Sequence, residues 1–283
     1  MTGMTDGITV GYDGSPGSDQ ALRWAAWEAN ARGTALTVCL AWAPDYLALL
    51  GDAAVYDLAR QRGAEILARG VRYAKSALES GDVRTALAEG PPARVLTECT
   101  STAEMVVVGC RGHGGLAGAQ LGSVAWQVAS HGQGRLVVVR GQWRPVNQSP
   151  GPVVVGVDGS PASQAAVTFA FEEAALRDVP LLAVCALADS PGRLGGARQM
   201  EEDFSHLMTL QEKEYPEVTV LRQVTVGPPR SALLTTAGGA QLLVVGARGL
   251  GGLEGMSLGS VVHAVLHHSP CPVAVVHPAA GDP

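Results

Sequence analysis

The sequence predicts an α/β protein of two tandem domains. Each is expected to be a five-stranded parallel sheet, strand order 3-2-1-4-5, with helices on both faces. Three observations predict this. First, the 283-residue chain repeats itself. Val10-Gly-Tyr-Asp-Gly-Ser-Pro16 returns as Val155-Gly-Val-Asp-Gly-Ser-Pro161, and Gly90-Pro91-Pro92 returns as Gly227-Pro228-Pro229. Second, in each copy short runs that are apolar at every position alternate with longer stretches whose apolar residues recur at helical spacing. Strands apolar on both faces and separated by helices form parallel sheets covered on each side. Third, each copy spans roughly 140 residues, the size of one domain. The junction falls in a Pro-, Ser- and Gly-containing stretch from Gln142 to Gly151, which breaks both periodicities. The domains are therefore expected at 1–144 and 145–283.

The elements of the first copy follow in order. Ile8 to Tyr12 is a short apolar strand. The turn Asp13-Gly14-Ser15-Pro16 leads into a helix with Ala21, Leu22, Ala25 and Ala29 on one face. Trp24 and Trp27 are read as packing residues of that helix. Ala35 to Trp42 is a buried strand, Leu58 to Leu78 a helix and Val83 to Ala88 a strand. Pro91-Pro92 starts a short helix over Ala93 to Cys99. Met105 to Val108 is a fourth strand, Val124 to Ala129 a helix core and Leu136 to Val139 a fifth strand. The second copy runs in the same order, from Val153–Val157 to Val273–Val276.

Between the fourth strand and its helix each copy carries a glycine-rich loop. Gly109-Cys110-Arg111-Gly112, nine residues, then Gly122-Ser123 returns as Gly246-Ala247-Arg248-Gly249, nine residues, then Gly259-Ser260. A strand delivers the chain, glycines let backbone N–H groups approach a ligand, and a helix N-terminus adds partial positive charge. That combination binds phosphate. In a doubly wound sheet ligands sit at the carboxyl ends of the strands where the winding reverses. With order 3-2-1-4-5, Asp13 and the first loop face one crevice, and Asp158 and the second loop face another. Asp-Gly-Ser-Pro is also turn chemistry, so each Asp is either a ligand contact or a helix cap. Arg111 and Arg248 are either phosphate or subunit contacts, or solvated arginines.

Composition narrows the function classes. Apolar residues make up 47% of the chain, enough for two cores. Net charge is −6 and only two lysines occur, Lys75 and Lys213, so no nucleic-acid or anionic-membrane surface is expected. No apolar run reaches the roughly 18 residues of a membrane span, and no signal-peptide pattern is present. Cys39, Cys99, Cys110, Cys185 and Cys271 form neither CxxC nor metal spacing and read as buried thiols of a cytoplasmic protein. His113, beside the first loop, has Leu250 as its counterpart and reads as incidental. His267-His268 reads as a helix-end feature.

The G-x2-G-x9-G-[S/T] loop after strand four, with V-G-x-D-G-S-P at the start, resembles the ATP-binding class of universal stress proteins in their tandem, two-domain form. The resemblance covers both halves nearly end to end and implies the Rossmann-like sheet already described. It implies that Asp13 and Asp158, with Gly11 and Gly156 in the same motif, hold the adenosine part. Ala41 and Ala186 would wall the adenine. Gly109, Gly112, Gly122 and Ser123, and likewise Gly246, Gly249, Gly259 and Ser260, would bind the ribose-phosphate chain. Val124 and Val261 would extend this at the helix N-terminus. Mg²⁺, where present, would be held by phosphates and water. The family often pairs subunits or repeats through the last strand, which implies a homodimer with pseudo-twofold pairing of domains. Here the copies differ: Ser269-Pro270-Cys271-Pro272 precedes that strand in one, Gly132-Gln133-Gly134-Arg135 in the other.

Rival readings fit less well. Gly112-His-Gly114-Gly-Leu-Ala117 matches a dinucleotide fingerprint, but in the fourth strand–helix unit rather than the first. No loop lysine is available for a Walker motif. Asp13-Gly-Ser lacks the Ser-Gly-Gly run of ATP-pyrophosphatases. An interaction protein with vestigial sites is disfavoured by intact loops in both copies. The expected function is an ATP-binding regulatory or stress-response protein with at most slow hydrolysis.

Overall fold

The computed structural model describes residues 7–43, 53–78, 82–113, 121–141, 143–144, 151–187, 194–250 and 258–278. Most of the 142–151 junction, and Ala117 and Glu254 in the two loops, lie outside the described residues. The chain divides into two compact units, Met1–Val139 and Arg140–Pro283.

The first unit runs β1 (Ile8–Gly11), α1 (Pro16–Arg32), β2 (Leu36–Trp42), α2 (Ala53–Ala77), β3 (Val83–Glu89), α3 (Pro92–Cys99), β4 (Met105–Gly109), α4 (Ser123–His131) and β5 (Arg135–Val139). Its strands lie in the order β3-β2-β1-β4-β5, and every neighbouring pair is parallel. The second unit runs β6 (Val153–Val157), α5 (Pro161–Arg177), β7 (Leu181–Leu187), α6 (Leu194–Glu214), β8 (Val220–Val226), α7 (Pro229–Thr236), β9 (Leu242–Gly246), α8 (Ser260–His268) and β10 (Val273–Val276). Its order is β8-β7-β6-β9-β10, again all parallel. The expected strand order is therefore present in both units.

Sequence chemistry accounts for the elements. In β4, Met105 to Val108 are at most 3% exposed. A run of Val buried on both faces suits the pleat, because β-branched side chains pack well against it. α1 starts where Ser15 accepts the Ser18 N–H and Pro16 supplies a fixed φ. It ends at Gly33, whose φ of 63° is left-handed. α5 repeats the start with Ser160 and Ser163 but ends on Asp178, a non-glycine residue at φ 52°.

α1 buries more than the expected face. Trp24, Ala26 and Glu28 join Ala21, Leu22, Ala25 and Ala29 inside, because the helix packs against α2 as well as β1 and β4. The buried Glu28 is neutralised by Arg32 at 2.6 Å, and its counterpart Glu173 by Arg177. α2 begins five residues before the expected Leu58, with exposed turns that carry no apolar periodicity.

In the first unit α1 packs with α2 and α3 with α4; in the second, α5 packs with α6 and α7 with α8. Each sheet is thus covered by two helix layers. β1 lies between β2 and β4, with Ile8 opposite both Leu36 and Met105. β6 lies likewise between β7 and β9. The carboxyl ends of β1 and β4, and of β6 and β9, therefore adjoin where the chain changes direction.

Candidate functional site

At each of these switch points lies a cleft. The first, of about 280 Å³, is lined by all nine of the first copy's candidates: Gly11, Asp13, Ala41, Gly109, Arg111, Gly112, Gly122, Ser123 and Val124. The second is larger, about 470 Å³. It is lined by Gly156, Asp158, Ala186, Gly246, Arg248, Gly249, Gly259, Ser260 and Val261.

The three motif glycines of each loop differ in what they are for. A Cβ on Gly109 would lie 2.5 Å from the Gly17 backbone, and one on Gly246 would lie 2.5 Å from that of Ala162. These glycines let the first turn of α1 or α5 cross the strand end. A Cβ on Gly112 would strike the Asp13 carboxylate at 2.5 Å, and one on Gly249 that of Asp158 at 2.2 Å. Gly122 and Gly259 are another matter. Their φ values, −80° and −71°, suit any residue, and among the described residues the nearest atoms to an added Cβ are 3.3 and 3.7 Å away. Among the described residues Gly259 has room for a Cβ, and Gly122 would have it if the Cys110 carbonyl gave by a few tenths of an ångström.

These two residues are also N-caps with no side-chain capping bond. The first N–H groups of an α-helix have no intrahelical partner, so α4 and α8 present bare donors and the positive end of the helix dipole to the clefts. Backbone bonds from Gly122 N–H to Cys110 O (2.7 Å) and from Gly259 N–H to Ala247 O (3.0 Å) fold the loop back on the strand end.

Asp13 is not the helix cap; Ser15 is. Its Oδ1 accepts the Ser15 N–H at 2.9 Å and its Oδ2 the His113 N–H at 3.3 Å. Asp158 does the same with the N–H groups of Ser160 (3.0 Å) and Leu250 (3.0 Å), and also takes the Ser160 hydroxyl at 2.6 Å. Each carboxylate thus ties the turn after the first strand to the glycine loop after the fourth. Burial on its own would raise the Asp13 pKa; hydrogen bonds from Ser15, Ser18 and the His113 backbone outweigh it and hold the carboxyl below its ordinary value. His113 has a part the sequence did not assign it. Its backbone contact matches that of Leu250, while its ring Nδ1 adds a 3.5 Å approach to Asp13 that the second copy lacks.

Arg111 and Arg248 are exposed at the cleft rims. Neither guanidinium is bonded to another described residue. Each cleft also has an apolar wall: Val108, Pro92 and Leu96 in one, Val184, Val245, Pro229 and Leu233 in the other. Sequence reasoning read Pro91-Pro92 of the Gly-Pro-Pro repeat as a helix start but gave the repeat no part in the site. It starts α3 and α7, whose Leu96 and Leu233 pack against Gly11 and Gly156 and close the slot. Each cleft therefore combines bare helix N–H donors, a carboxylate and an apolar slot. It suits an anion carried on a flat, weakly polar body. Among the described residues no cluster of three or more His, Cys, Asp or Glu is placed to hold a metal ion, and no helix is long and apolar enough to cross a membrane.

This architecture defines a tandem α/β protein with a duplicated glycine-loop cleft, and comparison with known proteins agrees. The model of the universal stress protein family matches residues 4–140 and again 151–277. A universal stress protein of Mycobacterium tuberculosis is 37% identical over 288 residues, covering 95% of this chain and 96% of that one. One of Mycolicibacterium smegmatis is 34% identical over 286 residues, covering 96% and 97%. The crystal structure of a universal stress protein from Archaeoglobus fulgidus aligns over 99% of this chain and all of that one, with a TM-score of 0.75 at 18% identity, and so shares the fold. The chain belongs to the universal stress protein family, with two tandem domains.

Proposed function

We propose that each unit binds one ATP and that the protein is a nucleotide-dependent regulator of the stress response rather than a fast enzyme. The adenine lies in the apolar slot beside Ala41 or Ala186. Asp13 or Asp158 faces the ribose. The phosphates rest on the loop glycines, on Ser123 or Ser260, and on the N-terminus of α4 or α8, extended by Val124 or Val261, with Arg111 or Arg248 at the rim. Mg²⁺ enters with the phosphates, held by them and by water.

The observation that carries this reading is the uncapped helix end at Gly122 and Gly259. At neither position does the backbone φ demand glycine, and among the described residues an added Cβ would meet nothing nearer than 3.3 Å at Gly122 and 3.7 Å at Gly259, yet neither copy places a capping side chain there. A bound phosphate explains why both helix ends are left without a side-chain cap.

Calorimetric titration with ATP tests it. The expected stoichiometry approaches two per chain, or less where nucleotide co-purifies. Gly122→Glu puts bulk and negative charge at the helix end, so site one should be lost and site two kept; Gly259→Glu should do the reverse. An absence of binding by protein stripped of nucleotide would leave an interaction protein with vestigial clefts. Full stoichiometry in either variant would mean that the phosphate lies elsewhere.

A further inference from the structure

The helices between the second and third strands of the two units are opposite in charge. α2 carries five cations, four of them arginine, against the carboxylates Asp57 and Glu65, a net of +3. α6 holds the same place in the second unit. It carries Arg198 and Lys213 against five carboxylates, a net of −3.

The same two surfaces leave apolar side chains in water. Among the described residues eight large apolar side chains are exposed. Three lie on α2, one on α6 and three on β8; only Leu250 lies elsewhere. Exposed apolar groups gathered in this way mark an interaction surface.

Helical spacing brings charge and apolar groups together. α2 buries Gly63, Leu67, Gly70 and Ala74. Leu58, Arg62, Arg69 and Tyr73 recur along an exposed stripe on another side, with Arg72 beside them. Arg62 and Arg72 make no ion pair among the described residues. On α6, Asp203, Leu210 and Glu214 form an exposed stripe above the buried Phe204 and Met208. On β8, Arg222 reaches Glu212 of α6 at 2.8 Å. Val224 and Val226 follow it at two-residue steps, so they share its face of the strand. The acidic stripe and these valines therefore belong to one surface.

The chain thus carries both halves of a complementary contact, and the partner that fits both is a second copy. We propose that α2 of one copy docks on the α6–β8 surface of another, and that a twofold axis repeats the contact to close a dimer. Leu58 and Tyr73 meet Leu210, Val224 and Val226; Arg62 and Arg72 meet Asp203 and Glu214. Arginine supplies most of the cations, and it is the cation that interfaces favour. α2 packs on β2 and β3 and α6 on β7, toward the sheet edges opposite β5 and β10. The surface is therefore distinct from pairing through the last strand. It does not rest on the nucleotide reading.

Sedimentation equilibrium of the full chain without nucleotide tests it. The native chain should form a dimer, and raising ionic strength from about 0.05 to about 0.5 M should weaken it by screening the ion pairs. Arg62→Glu with Arg72→Glu makes α2 acidic; Asp203→Lys with Glu214→Lys makes α6 basic. In each double variant like charges face one another, and the dimer should weaken about tenfold or more. Mixed in equal amounts, the two should dimerise again, because acidic meets basic at both contacts. All four positions are exposed, so each variant should melt as the native chain does. Leu58→Gln should weaken the dimer with no change of charge. A native chain still monomeric at about 0.1 mM, assembly beyond a dimer, double variants or Leu58→Gln that pair as tightly as the native chain, or a mixture that stays monomeric would overturn the proposal.

Discussion

Each carboxylate oxygen of Asp13 accepts a backbone N–H, one from Ser15 and one from His113. Two jobs that looked mutually exclusive in the sequence are therefore arranged differently. Ser15 caps the helix, and the carboxylate is left to fasten the ligand loop. Asp13→Ala should lower thermal stability and ATP affinity together. The stability loss should be about 1–2 kcal/mol, from hydrogen bonds worth about 0.5–1.5 kcal/mol each to a side chain that is 46% exposed. A variant that melts and binds like the native chain would remove Asp13 from both roles. The depressed pKa adds a pH signature. A carboxyl whose folded pKa lies below its unfolded value contributes stability that is full above the unfolded value. That contribution is lost as pH falls through the folded one. The native chain should lose stability below about pH 4 more steeply than Asp13→Asn does. Melting both proteins across that range is the measurement.

At the scale of elements, the strand–loop–helix unit assigns its glycines separate tasks, and conservative substitutions can tell them apart. Gly246→Ala sets a Cβ against the Ala162 backbone at 2.5 Å. Backbone on both sides can relieve that only by shifting, so a loss of about 1–3 kcal/mol is expected. Gly259→Ala meets no atom of the described residues nearer than 3.7 Å and should cost under about 1 kcal/mol, the range of an N-cap change. Its effect should fall on ligand affinity instead. Chemical denaturation of the two variants checks the contrast; equal destabilisation would contradict the assigned geometry. The loops were legible in the sequence because glycine spacing, a preceding Val run and a following helix form a local pattern, and duplication made the pattern specific. The Asp–loop contact was not legible. It joins Asp13 to His113 across 100 positions, and no periodicity records which backbone N–H a carboxylate will meet. Leu96 and Leu233 were hidden for a related reason: each reads as an ordinary core position of its short helix, and only the parallel order of the sheet turns them toward the slot. The early start of α2 escaped because its first turns bury nothing.

At the scale of the whole molecule, duplication gives two clefts alike in backbone and unlike in lining. Tyr12, Cys39 and His113 narrow the first; Val157, Val184 and Leu250 occupy the matching positions of the second. On the proposed function, ligand at a hundredfold over Kd adds about 2.7 kcal/mol for each filled site. At roughly 2–4 °C per kcal/mol for domains of 150–250 residues, the melt should rise by several degrees. Gly122→Glu and Gly259→Glu should each remove part of that rise. Scanning calorimetry with and without ATP reads both effects.

Turnover is the other property of the whole molecule that the proposal constrains. Phosphoryl transfer needs cations on the γ-phosphate, an oriented water and carboxylates that hold the metal. Neither loop sequence contains a lysine, and no Asp or Glu occurs between Gly109 and Ser123. Glu254 in the second loop corresponds to Ala117 in the first, so it is no shared catalytic part. Asp13 and Asp158 already hold backbone N–H groups, and reorienting either toward water would release the loop proposed to bind the phosphate. Bare helix donors stabilise bound nucleotide as well as a transition state, and such uniform binding does not raise the rate. ATP hydrolysis should therefore fall well below the roughly 1–10³ s⁻¹ of ordinary enzymes. A phosphate-release assay on protein freed of contaminating ATPases measures it. A rate above about 1 s⁻¹ that disappears in the Gly122→Glu, Gly259→Glu double variant would make this chain an enzyme.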